Sequence, residues 1–190
     1  MKCNVNIYKI RSFTLIKKAF IFVILIIFSS CLSIKPSGLK TGGKLYETFF
    51  VGEDGTQYFI KPLIFSKKLD EELKLDITFR YKNEIKDSAV LNISFFSKEL
   101  FKTADSLKID NDTIDITLKR FNYLFSERDK KLYNCRFSVK VDLINLKNLF
   151  NRGNWNLLLY KNGMSTDYTS LKTTKKKIEK INYEIFLLFK

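Results

Sequence analysis

Leu73-Lys74-Leu75-Asp76-Ile77-Thr78-Phe79-Arg80-Tyr81-Lys82 decides the fold of this chain. Apolar and polar residues alternate along it without a break, and successive side chains of a pleated strand point to opposite faces, so one face is apolar and the other charged. Tyr133, Cys135, Phe137, Val139, Val141 and Leu143 repeat the pattern against Leu132, Asn134, Arg136, Ser138, Lys140 and Asp142. Ala89, Leu91, Ile93 and Phe95 predict a third strand, and Ile114, Ile116 and Leu118 a fourth. Ile181, Tyr183, Ile185, Leu187 and Phe189 predict a last one. Its end, Ile185 to Phe189, is apolar on both faces, which fits a central strand buried on both sides better than an outer face covered by a partner.

Between these runs lie turn signals. Asp54-Gly55 separates Leu45 to Val51 from Thr56 to Ile64 and tolerates positive φ, which predicts a hairpin. Asn111-Asp112 offers a second turn. Leu143, Leu146, Leu149 and Phe150 follow helical spacing and make Asp142 to Phe150 a short helical turn; Phe96 to Ala104 is a second candidate. Antiparallel strands with one solvated face and little helix predict an all-β, two-sheet sandwich over residues 44–190. The segment Asp142 to Leu146 through Gly153-Asn154-Trp155-Asn156-Leu157 to Tyr160 resembles a corner of bacterial immunoglobulin-like and jelly-roll modules. That resemblance implies a sandwich architecture and carries no activity.

Upstream, Lys2, Lys9, Arg11, Lys17 and Lys18 precede the apolar run Ala19 to Phe28, and no acidic residue occurs before Glu47. This order predicts a secretory signal over residues 1–30, with a signal helix. The apolar core holds about ten residues, whereas a helix needs roughly 20 to cross a bilayer. Phe28-Ser29-Ser30-Cys31 resembles the bacterial lipobox, although Phe28 replaces the usual Leu. The resemblance implies that Cys31 carries a thioether-linked diacylglycerol and becomes the first residue after cleavage, giving a palmitate-type lipid anchor. Two or more acyl chains hold a protein stably to a membrane. Gly38, Gly42, Gly43 and Pro36 cluster in residues 31–43, which reads as a flexible tether with a root-mean-square span of roughly 20 Å.

Asp87-Ser88-Ala89, Asp105-Ser106-Leu107 and Asp112-Thr113-Ile114 each resemble the Asp-Ser/Thr-apolar sequon that bacteria of the Bacteroides and Flavobacterium group O-glycosylate in exported proteins. In those bacteria acidic residues after the acylated cysteine send lipoproteins outward. Leu32-Ser33-Ile34-Lys35 has none, which by that resemblance implies an outer-membrane protein facing the periplasm.

The 190 residues carry 34 Lys and Arg against 20 Asp and Glu, a net charge of +14. Residues 1–30 hold five of the basic residues and no acidic ones, so the remainder carries +9. Lys172-Thr173-Thr174-Lys175-Lys176-Lys177, with Lys180, is the densest basic run. It has no interleaved aromatics to stack on bases, so nucleic acid is not an expected partner. A solvated loop is the simplest reading of it, with anionic headgroups as the functional alternative.

The chain has no histidine. That excludes Ser-His-Asp and Cys-His nucleophilic catalysis, the usual neutral-pH base and most zinc sites. Glu71 and Glu72 are neighbours on an extended chain and point apart, so they do not form a glycosidase pair. Asp110-Asn111-Asp112-Thr113-Ile114-Asp115 has the oxygen content of a calcium loop but lacks its glycine, and Phe121 stands where the bidentate glutamate belongs. Cys135 is left without a partner once Cys3 leaves with the signal and Cys31 is acylated, and on its strand's apolar face it reads as a small hydrophobe. The expectation is a non-catalytic envelope protein without metal or cofactor, binding an envelope partner through a sheet edge or apolar patch. The alternative is a glycan- or lipid-binding module using Tyr123, Trp155, Tyr160 and Tyr168. A histidine-free hydrolase ranks below both.

Overall fold

The computed structural model describes residues 45–67, 71–83 and 87–189. The signal, Cys31 and the tether lie outside them. The described chain is mostly β, built as β1 (Tyr46–Phe50), β2 (Thr56–Ser66), β3 (Glu72–Tyr81), β4 (Ser88–Ser97), β5 (Ser106–Asp110), β6 (Asp115–Leu118), β7 (Asn122–Asp129), β8 (Leu132–Asp142), helix α1 (Leu143–Phe150), β9 (Asn156–Lys161), β10 (Met164–Ser170) and helix α2 (Lys172–Glu184). All ten strands belong to one antiparallel sheet in the order β6-β5-β9-β10-β2-β3-β4-β8-β7, with β1 also on β2. The sheet curls into a half-barrel, bringing β6 back within reach of β8.

The alternating runs supply the concave face. Leu73, Leu75, Ile77 and Phe79 of β3 lie beside Ala89, Leu91, Ile93 and Phe95 of β4, and these beside Cys135, Phe137, Val139 and Val141 of β8; all are buried. The register pairs Leu75 with Ile93, and Ile93 with Phe137. On the convex face Arg136 Nη2 donates to both carboxylate oxygens of Asp76 at 3.0 and 2.9 Å and Nη1 to Ser94 Oγ at 2.6 Å, tying β8, β4 and β3 together.

β2 is the hinge of the curl. Its register against β3 shifts between Ile60 and Leu63, so both point inward although three residues apart. Pro62, which lacks an N–H, falls inside this bulge, where no ladder bond is lost. Before the bulge β2 pairs with β1, and after it with β10.

The helices fill the open side. α1 turns Leu143, Leu146, Leu149 and Phe150 inward as its spacing predicts. Asn111, fully buried in the β5–β6 turn, donates from Nδ2 to Asn148 O and Leu149 O at 3.3 and 2.9 Å, capping the end of α1. Its Oδ1 accepts from the N–H groups of Thr113 and Ile114. Gly153 brings the chain under α2, where a β-carbon would stand 2.7 Å from Lys175 O.

Four sequence expectations change. Ile181 to Phe189 is not a strand: it is the end of α2 and a 3-10 turn at Phe186–Leu188. Thr174, Ile178, Ile181 and Ile185 recur at helical spacing and are buried, so a 3.6-residue period overrides the two-residue one. The end of the run is not buried on both sides either, since Phe186 and Phe189 point in while Leu187 and Leu188 point out. The basic run is the first half of α2 rather than a loop. Phe96 to Ala104 is not helical; β4 continues to Ser97 and an irregular segment follows.

Candidate functional site

The interior is packed with aromatic rings. Trp155, fully buried, is stacked on Phe65 at 6.3 Å and edge-on to Phe150 at 4.9 Å, and its indole N–H is shared between Leu149 O and Arg152 O, each at 2.9 Å. Phe150, Phe186, Phe79 and Phe189 continue the aromatic stack. A second cluster joins Phe95, Phe101, Phe137 and Tyr168. Such packing leaves aromatic faces no room for a ligand.

At the Ser66 end of β2, where Met164 and Lys161 of the β9–β10 hairpin and Ser97 of β4 converge, is a cleft of about 380 Å³. Its walls are charged, with Lys67 paired to Glu71 and Lys161 to Glu99. Glu71 accepts from Lys67 Nζ at 2.8 Å and from Ser97 Oγ and Lys98 N at 3.3 Å. Burial pushes its carboxyl up, but these hydrogen bonds and the Lys67 charge outweigh it and hold the group below the ordinary value. Lys161 bonds Glu99 at 3.1 Å and lies 4.6 Å over the Phe101 ring. Tyr168 forms part of the lining; burial, with the Glu71 charge, pushes its phenol well above the ordinary value. Glu72 turns to Lys74 instead, so the two glutamates have separate partners.

The four predicted ligand aromatics do not converge. Trp155 is core. Tyr168 pairs with Leu157 on the concave face, whereas Tyr160, three residues on from Leu157, points to the convex one. Tyr123 is on β7, edge-on to Phe137 at 5.6 Å.

The calcium-like run is a turn whose oxygens serve the chain's own donors: Asp110 accepts from Asp112 N at 2.7 Å, Asp112 from Asn154, and Asp115 pairs with Lys108. Among the described residues no three His, Cys, Asp or Glu are grouped to hold a metal. Cys135 is sealed in the core and its sulfur accepts from Phe101 N at 3.5 Å. Of the three sequon hydroxyls, Ser88 and Thr113 are exposed and Ser106 is half-buried.

Of the strands bonded on one side only among the described residues, β7 is the most exposed. It closes one side of the strand order, and its residues are almost all exposed on both faces. An edge strand presents a row of backbone donors and acceptors ready for another chain. Glu127, Arg128 and Asp129 guard its far half with charge. The near half carries Tyr123, Leu124 and Phe125, exposed by 38, 46 and 41%, with a bulge between Tyr123 and Phe125. At the other side of the strand order, β6 is four residues long and approaches β8. β7 is not legible from pattern alone, because its apolar residues are consecutive rather than alternating. Compared with known proteins, the chain matches no family model, and no curated protein or solved structure matches it closely enough to count as similar.

Proposed function

We propose that this protein is a non-catalytic component of a bacterial envelope, anchored by a lipid on Cys31, whose folded domain binds another envelope protein along β7. The exposed, half-guarded edge of β7 carries this reading. A partner strand added there gains main-chain hydrogen bonds, and because the bulge sets Tyr123 beside Phe137 and Phe125 beside Arg136, its side chains meet Tyr123 on one face and Phe125 on the other. The filled interior favours this over the ligand-binding module, and the cleft at Glu71, with its charges satisfied internally, is the one feature on the side of the latter. In this reading the two halves of the curled sheet act as the leaves of a sandwich, and the protein faces the periplasm from the outer membrane.

The test is capture from crosslinked envelopes with three chains: unchanged, Cys31→Ser and Leu124→Lys. A partner set recovered with the unchanged chain and lost with Leu124→Lys supports the β7 interface. An identical soluble set from all three, with none of them fractionating with membranes, refutes both the anchor and the interface. Mass spectrometry of the amino terminus tests the anchor separately, through the acyl mass on Cys31.

A further inference from the structure

Two segments far apart in sequence meet at the Thr56 end of β2. The ladders place Phe50 opposite Thr56 and Thr56 opposite Tyr81, so these three form one row across β1, β2 and β3, about 10 Å wide at the usual strand spacing. Phe189 stacks on Tyr81 with ring centroids 3.8 Å apart and also touches Tyr58 and Phe79. α2 therefore runs back along β2, from Thr174, whose hydroxyl donates to Ile64 O at 2.6 Å, to the 3-10 turn beside the β1–β2 connection.

Among the described residues this end is apolar and uncovered. Phe50 is 75% exposed, Leu188 71%, Leu187 61% and Tyr183 74%, with Val51 beside Phe50. The arrangement is held firmly. Gly55, at φ +86°, lets the hairpin close so tightly that a β-carbon there would collide with Tyr81 O, and Lys147 donates to Phe189 O at 2.7 Å. Lysines rise behind it: Lys172, Lys176 and Lys180 follow at four-residue steps along the exposed side of α2, and Lys82 adjoins Tyr81. Lys180 reaches Glu184 at 3.5 Å, and Glu53 is exposed at the hairpin, but α2 as a whole carries five lysines against two glutamates.

We infer that this end of the half-barrel is a membrane-contact face that inserts Phe50, Leu187 and Leu188 among anionic phospholipid headgroups, independently of any lipid on Cys31. Aliphatic and phenyl side chains at the tip, a tyrosine whose hydroxyl stays at headgroup level and flanking lysines with long stems are the residue types that settle a helix end at a bilayer interface. The positive charge of α2 and of the chain outside residues 1–30 selects an anionic surface.

The experiment uses the full chain with Cys31→Ser, so that no acyl group contributes, and adds Leu188→Trp as an optical probe. Brominated vesicles of phosphatidylcholine and phosphatidylglycerol in equal parts are expected to quench the introduced indole, leaving the buried Trp155 of the parent unaffected. Phe50→Ser with Leu187→Ser should lower its quenching about tenfold, and Lys176→Glu with Lys180→Glu should lower it on the anionic vesicles alone. Trp155 emission reports that each variant stays folded. An introduced indole left unquenched while the chain sediments with vesicles overturns the inference, since another segment then makes the contact and the apolar end is free for a protein. Because acylation is absent throughout, the anchor on Cys31 stands or falls separately.

Discussion

The two ends of β2 are built from the same sheet and have opposite chemistry. At the Ser66 end, the charges of Lys67, Glu71, Glu99 and Lys161 close on one another over Phe101, and the polar groups are answered from within. At the Thr56 end Phe189 covers Tyr81, whereas Phe50, Leu187 and Leu188 have nothing over them among the described residues. Burying an aliphatic or aromatic side chain is worth roughly 1.5–3 kcal/mol, and exposing several together forgoes that gain. A self-satisfied end looks like structure; an unsatisfied one looks outward.

The contrast presumes a rigid middle, and Trp155→Ala breaks it most severely. Losing the ring from between Phe65 and Phe150 should destabilise the fold by about 3–5 kcal/mol in urea unfolding. A loss under about 1 kcal/mol would mean that the interior is loosely packed. Asn111→Ala comes next, at roughly 2–3 kcal/mol, because the last carbonyls of α1 and two turn N–H groups lose their partner together.

Glu71→Gln sharpens the polar end, with an expected loss of roughly 0.5–1 kcal/mol at neutral pH. Since folding lowers the carboxyl's pKa, the carboxylate contributes its stability above the ordinary value of 4.5 and loses it as pH falls through the lower folded value. The difference between Glu71→Gln and the unchanged chain should therefore shrink in unfolding curves taken below pH 4.5; a constant difference would show that the charge is irrelevant there. The smallest effect belongs to the apolar end: Leu187→Ser with Leu188→Ser should shift stability by no more than about 0.5 kcal/mol while reducing sedimentation with anionic vesicles. A loss comparable to that of Asn111→Ala would place these leucines in the core and erase the contrast.

Much of the concave face was readable from sequence. β3, β4 and β8 alternate strictly because one side of each is buried and the other wet, and α1 shows its helical spacing with no competing period. Asp54-Gly55 and Asn111-Asp112 fall at turns, though it is the buried side chain of Asn111 that joins the β5–β6 turn to α1, a tertiary role no local pattern reveals. The C-terminal run misled because Ile181, Ile185 and Phe189 satisfy both a period of two and a period of four. The deciding residues, Thr174 and Ile178, sat among lysines and so drew attention to charge. β7 and β10 escaped notice because edge or weakly covered strands need no alternation. The candidate site was legible only in kind. A sheet edge was expected, but Tyr123-Leu124-Phe125 became its open half only once β8 was seen to lie on one side of it alone.

Cys135 turns this architecture into its own clock. Its thiol is shut beneath the Phe101 backbone on the strand that supports β7. In a chain with Cys3 and Cys31 replaced by serine, alkylation of the remaining sulfur can proceed only through an opening of that region. The reaction's half-time then measures how often β8 and its neighbours part, and a partner seated on β7 should lengthen it without touching the sulfur at all.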